Sequence, residues 1–237
     1  MRLLSVALLL SFCNATFAQY DDEYSYYSDR PSYYKSASSY YVDEGWGCIY
    51  FSYAPLKLVT SYSGHSHSSE DDLSFNAFTV GFGYSQPLSG PLCVEAAFET
   101  TGAYFSEHYY DSQGYYVKHK YDLYYSKVPV NLALRFDLND NFAIIPFAGL
   151  NAKLNISAKE TEDDGYEKIT WDLFDDGDMG GDTFLRFQVG YQAGVKLLFA
   201  NAFSVSASYG GDLTPFYSEH DIKQKFQGFS FTAGYNF

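Results

Sequence analysis

The sequence predicts an all-β fold, an eight-stranded antiparallel up-and-down transmembrane β-barrel behind a disordered N-terminal leader. Three observations carry that reading. After position 44 apolar side chains recur at every second residue, eight segments share the pattern, and their connections alternate between short and long. A period of two places alternate side chains on opposite faces of a strand. Beyond the first eighteen residues no run approaches the roughly 18 apolar residues of a spanning helix, so membrane residence has to use strands.

Residues 1–18 read as a secretory signal: Arg2 supplies the positive start, residues 3–12 the apolar stretch, and Thr16-Phe17-Ala18 a small-residue cleavage site. Export is of the Sec type, and the mature chain begins near Gln19. A lipoprotein signal ending at Cys13 competes, but bulky Phe12 stands where a small residue is expected. Residues 19–44 are rich in Tyr, Ser and Asp and contain neither Leu nor Ile, the composition of an exposed disordered segment. Three doublets, Tyr26-Tyr27, Tyr33-Tyr34 and Tyr40-Tyr41, recur at intervals of seven. They leave open a flexible leader or an aromatic strip for a periplasmic or surface partner.

The barrel spans 45–237. Its first strand sets Ile49, Phe51 and Tyr53 against Tyr50, Ser52 and Ala54. The second sets Phe78, Val80, Phe82 and Tyr84 against Thr79, Gly81, Gly83 and Ser85, and the third Leu92, Val94, Ala96 and Phe98 against Glu95, Ala97 and Glu99. In the fourth, Val128, Val130, Leu132, Leu134 and Phe136 oppose Lys127, Asn131 and Arg135. In the fifth, Ile144 through Ile156 at every second position oppose Gly149, Asn151, Lys153, Asn155 and Ser157. The sixth runs Leu185, Phe187, Val189, Tyr191, Ala193 and Val195 against Arg186, Gln188, Gly190, Gln192, Gly194 and Lys196, and the seventh Phe203, Val205, Ala207 and Tyr209 against Ser204, Ser206 and Ser208. The last column, Phe229, Phe231, Ala233, Tyr235 and Phe237, ends the chain. An apolar face for lipid and a polar face for a lumen is the barrel pattern. The short connections are 86–91, 139–141 and 200–201; the long ones are 61–72, 108–120, 159–182 and 217–225. Short periplasmic turns and long surface loops sort in this way.

Composition agrees. The chain is 46% hydrophobic and 20% aromatic, with 25 Tyr and 21 Phe, the mixture that a lipid band with aromatic girdles and a polar lumen requires. A net charge of -14 without a basic cluster excludes nucleic acid as a partner.

With the strands placed, the chain resembles the outer-membrane β-barrel domain family common in Bacteroidetes, whose familiar members are porin-T-like. The matching residues are Lys127-Val128-Pro129-Val130-Asn131-Leu132 with Arg135-Phe136, Ile145-Pro146-Phe147-Ala148-Gly149-Leu150, and Ala233-Gly234-Tyr235-Asn236-Phe237. The resemblance implies residence in the Gram-negative outer membrane and recognition of the terminal strand, through Phe229, Phe231, Tyr235 and Phe237, by the barrel-assembly machinery. It implies no catalytic residue.

An eight-stranded barrel is just wide enough for side chains to fill, and the inward set places Glu95, Glu99, Lys127, Arg135, Lys153, Arg186 and Lys196 inside. Charges removed from water must pair. Counting from the turns puts Glu95, Arg135 and Lys196 at one depth, with Glu99 reaching Arg135 from above. A rigid plug is the expectation; a narrow gated solute path is the competing reading. A lipid-modifying site would need a His beside a nucleophile and an acid, yet His65, His67, His108, His119 and His220 fall in expected surface loops. No cofactor is expected. The acids of 159–182, among them Asp175, Asp176, Asp178 and Asp182, lack EF-hand spacing, and no metal site is expected. A solvated acidic face and a shared divalent ion both remain open there. Cys48 and Cys93 fall on non-adjacent strands, too far apart for a disulfide, so both thiols should be free. The expected protein is a non-enzymatic monomer in outer-membrane lipid with a structural or surface-interaction role.

Overall fold

A computed structural model describes residues 45–62, 73–110, 116–139, 141–175, 184–219 and 221–237. The expected signal peptide and leader, His65, His67, His220, Asp176, Asp178 and Asp182 lie outside the described residues.

The ring is built from β1 (Trp46–Tyr62), β2 (Leu73–Ser89), β3 (Leu92–Tyr110), β4 (Tyr116–Leu134), β6 (Phe142–Asp163), β8 (Phe187–Phe199), β9 (Phe203–Asp212) and β11 (Ile222–Asn236). Each is antiparallel to its neighbour, and β11 returns to β1 with Ala233 opposite Phe51 and Phe231 opposite Tyr53. Closure matters because an open edge would leave unpaired backbone groups in lipid. Three short strands lie off the ring: β5 (Phe136–Asn139) follows β4 after a break at Arg135, β7 (Lys168–Asp172) pairs with β6, and β10 (Tyr217–Glu219) pairs with β11.

The alternation read from the sequence is the alternation of the wall. Along β2 every second residue from Phe75 to Ser85 is buried, while Phe78, Val80, Phe82 and Tyr84 are exposed, Val80 by 57%. The last strand exposes Phe229, Phe231, Tyr235 and Phe237 in the same way. Exposed apolar columns around a closed ring are what hydrocarbon contact selects. The tight turns and both ends of the ring lie at one end, the periplasmic end by the usual sorting of turns.

The surface segments differ from expectation. Most of 108–120 continues β3 and β4, which pair from Tyr104 with Asp122 up to Tyr110 with Tyr116. Likewise 159–172 is largely the hairpin of β6 and β7, and 217–225 that of β10 and β11. A strand crosses the bilayer in about 9–11 residues, yet β3 and β4 have 19 and β6 has 22. The surplus stands outside as sheet. It was legible only as polar sequence because no lipid enforces an apolar column there.

Two apolar clusters occupy the ends of the interior. At the short-turn end Cys93, Ala133, Ala143, Ile145 and Leu198 pack with Trp46 and Phe147. Toward the outer end Phe75, Leu123, Phe174, Phe216 and Phe226 form a larger cluster with Leu58, Ala77, Ala158 and Leu173. The second cluster includes turn residues 173–174 and Phe216, so connections fold inward over the mouth.

Candidate functional site

Between these clusters the lumen is polar. One row of cross-strand partners runs Tyr50, Gly81, Glu99, Lys127, Lys153 and Gln188. Glu99 accepts Lys127 Nζ at 2.7 Å and the Tyr50 hydroxyl at 2.8 Å. The Tyr50 ring reaches across because its row neighbour is Gly81, where a Cβ would stand 2.3 Å from the ring. A second carboxylate, Glu95, takes Lys196 Nζ at 2.5 Å and Ser85 Oγ at 3.1 Å. A third pair is deepest in burial: Lys153 Nζ lies 2.8 Å from both oxygens of Asp212. Asp212 also accepts Gln188 Nε2 at 3.0 Å and Phe226 N at 3.2 Å, while Lys153 sits 5.2 Å and 5.1 Å from the Tyr125 and Phe226 ring centres. Each cation meets a carboxylate and further donors complete the acids, the condition for keeping charge away from water.

Two of the seven expected lumen residues are elsewhere. Arg135 does not join Glu95 and Lys196. Glu95 pairs in register with Asn131, four residues earlier on β4, and Arg135 falls in the break beyond Leu134. There it bonds Asp137 at 2.8 Å and Asn201 at 2.8 Å and stacks over Trp46, at the periplasmic rim. Counting from the turns missed this because register, not residue count, sets depth in a sheared barrel. Arg186 precedes β8 and is exposed, bonding Ile156 O and lying 4.5 Å from the Phe174 ring centre. Glu95, Glu99, Lys127, Lys153 and Lys196 are in the lumen. Asp212 was missed because Gly210-Gly211 ends the alternation of its strand. The expected inward set had two acids against five cations, and that imbalance was the available signal for a missing carboxylate.

Apart from Tyr50 of β1 and Asp212 at the end of β9, the long polar side chains come from β3, β4, β6 and β8, whereas the rest of the inward face of β9 and that of β11 present Ser204, Ser206, Ser208, Ser230 and Thr232. Between the two walls lies a cavity of about 170 Å³, also lined by Cys48. Cys48 and Cys93 are free thiols.

Outside the lipid band a second cluster sits on the projecting sheet. His119 Nε2 lies 3.1 Å from Glu160 and Nδ1 lies 3.9 Å from Glu107, while the Tyr121 hydroxyl donates to Glu160 at 2.8 Å. Burial, and then the bond to Glu160, push the Tyr121 phenol well up. Both ring nitrogens of His119 therefore face carboxylates.

A closed ring of eight antiparallel strands with an apolar exterior and a charged, internally paired lumen defines a membrane-spanning β-barrel. Residues 51–217 match the family described as outer membrane protein beta-barrel domain, and the chain belongs to it. The protein is thus an outer-membrane barrel of the Gram-negative envelope. Solved structures similar to it include Ail, the attachment invasion locus protein of Yersinia pestis, at 16% identity over 82% of this chain and 99% of Ail, with a TM-score of 0.41. Neisserial surface protein A is 13% identical over 80% of this chain and 97% of its own, at 0.43. The outer membrane enzyme PagL is 11% identical over 79% of this chain and 97% of its own, also at 0.43. No curated protein sequence matches the chain.

Proposed function

We propose that this protein is a non-enzymatic barrel with a sealed lumen, whose work lies in envelope integrity or contact through the sheet it projects outside the cell. The supporting observation is the interior. Glu95, Glu99 and Asp212 are paired with Lys196, Lys127 and Lys153, and apolar clusters lie on both sides of that belt. An ion entering would have to strip these pairs and cross an apolar constriction. One chain closes the ring, which favours a monomer with outer-membrane lipid as its surroundings. The column Phe229, Phe231, Tyr235 and Phe237 is the proposed signal to the assembly machinery, and the Tyr-rich leader is left for a periplasmic or surface partner.

A gated solute path is the second reading, favoured by the cavity along the serine wall. A lipid-modifying role is less well supported, since His119 faces two carboxylates rather than a hydroxyl or thiol nucleophile. Planar-bilayer recording of the refolded protein should give flat traces, and discrete conductance steps would overturn the sealed lumen. Lipid A from cells with and without the protein should have the same mass profile; a protein-dependent change would overturn the non-enzymatic reading.

A further inference from the structure

Above the lipid band β3, β4, β6 and β7 form one projecting sheet, and among the described residues β7 pairs with β6 alone. The far side of β7 is thus a sheet edge with no strand beside it. Leu173 N donates to Ala158 O and Asp164 N to Glu167 O, which makes 158 with 173 and 164 with 167 the hydrogen-bonded pairs at the two ends of this ladder. Alternation along an antiparallel ladder then turns the backbone groups of Ile169 and Trp171 toward β6 and those of Lys168, Thr170 and Asp172 toward the open edge. The Asp172 carbonyl is already taken there by Asp175 N at 3.1 Å.

The sequence of that edge is complementary to itself. Read antiparallel about Thr170, Lys168-Ile169-Thr170-Trp171-Asp172 sets Lys168 against Asp172 and Ile169 against Trp171 of a second copy. The charges also continue the rows of the sheet. Lys118, Asp163 and Lys168 make one row, and Asp172, Lys159 and Asp122 another; joined across the edge, they alternate in sign from end to end. Ile169, 41% exposed outside the lipid band, meets the Trp171 ring in this register. The edge carries neither Pro nor a bulge, two common guards against such pairing, and the third guard, its Lys, faces an Asp.

We propose that β7 pairs antiparallel with β7 of a second copy of this chain, the dyad passing through Thr170. The inference rests on the contact role proposed above and names its partner. Thr170 exchanges reciprocal backbone bonds with its counterpart, and each Asp172 amide donates to the Lys168 carbonyl of the other copy. The Lys168–Asp172 and Ile169–Trp171 pairs flank the dyad on opposite faces. The contact is isologous and closes at two copies. It joins projecting sheets, not rings, so each barrel remains one chain. A dyad between antiparallel edge strands is normal to the sheet, and β6 carries the plane of the wall out of the bilayer. The second copy is therefore inverted and sits in a facing membrane.

The test reconstitutes the whole chain at one copy per phosphatidylcholine nanodisc and follows disc mass by sedimentation equilibrium up to about 0.5 mM, the range of weak complexes. The wild type should show concentration-dependent doubling. Lys168→Asp and Asp172→Lys each set like charges against one another on both sides of the dyad and should weaken association about tenfold to thirtyfold. An equal mixture of the two restores both pairs with the signs exchanged and should associate about as strongly as the wild type. Thr170→Pro removes the amides at the dyad without removing a bond to β6, and should abolish doubling. Lys223→Asp, on β11, should leave it intact. Slow exchange of the Ile169 and Trp171 amides confirms that the β6–β7 hairpin is formed in each variant, and Thr170→Pro carries the test if a charge variant fails to fold. No doubling in the wild type, doubling kept in Thr170→Pro, or a mixture no stronger than its components would each overturn the pairing. Discs that bind cells lacking the protein but not one another would overturn the pairing and leave the contact role standing; discs that bind neither would overturn both.

Discussion

Asp212 serves Lys153, Gln188 and the Phe226 amide at once, and its side chain is only 7% exposed. Removing one member of such a buried pair strands the other charge, so Asp212→Ala should cost about 3–5 kcal/mol. Lys153→Met/Asp212→Leu should recover most of that loss, since neither charge is then left alone; urea titration in micelles reads both, and equal losses would contradict the pairing. Ala200 and Asn201 form the β8–β9 turn with φ of 50° and 54°, the left-handed values that a two-residue hairpin turn requires. Asn tolerates them better than Ala, so Ala200→Gly should stabilise the barrel by about 1 kcal/mol, against no gain if the turn is not so formed. At the β6–β7 turn the Asp164 carboxylate accepts the amides of Tyr166 and Glu167 at 2.8 Å and 2.7 Å, and those bonds hold it below the usual carboxylate range. A depressed folded value means that its stabilisation is complete above the ordinary carboxylate range and is lost as pH falls through the lower one. Amide exchange of 164–167, corrected for intrinsic rate, should therefore accelerate in strong acid but not between pH 6 and 8.

At the scale of elements, period-two alternation made the lipid-spanning parts of the strands legible, because hydrocarbon outside and polar filling inside leave opposite marks on adjacent residues. The projecting parts were not legible. Tyr104 to Tyr110 and Tyr116 to Asp122 pair residue by residue, but both faces meet polar surroundings or the apolar cap, so no single column identifies them. The cap itself depends on Phe216, which packs against Phe174, Phe184 and Phe226 at ring distances of 6.2, 5.4 and 5.3 Å. Phe216→Ala should cost about 3–5 kcal/mol of stability and hasten amide exchange at 213–217. Unaltered exchange there would mean that this segment is held without the ring.

For the whole molecule, closure could be inferred from parity but lumen chemistry could not be completed from it. Parity gave the side of the wall for Glu95, Glu99, Lys127, Lys153 and Lys196, while partners depended on the slant of the rows, which places Arg135 at the rim and brings Asp212 to Lys153. The cavity beside Ser204, Ser206 and Ser208 exists because small residues are gathered on adjoining strands, a consequence of strand order rather than of any one segment. In the proposed sealed barrel this cavity is cut off from both sides of the membrane, and the free thiol of Cys48 on its lining is a native reporter. The direct measurement is modification of Cys48 by a small, membrane-impermeant cationic methanethiosulfonate in the folded barrel, counted by peptide mass. The sealed lumen predicts no modification until urea unfolds the protein, and stoichiometric modification of Cys48 in the folded barrel would contradict it.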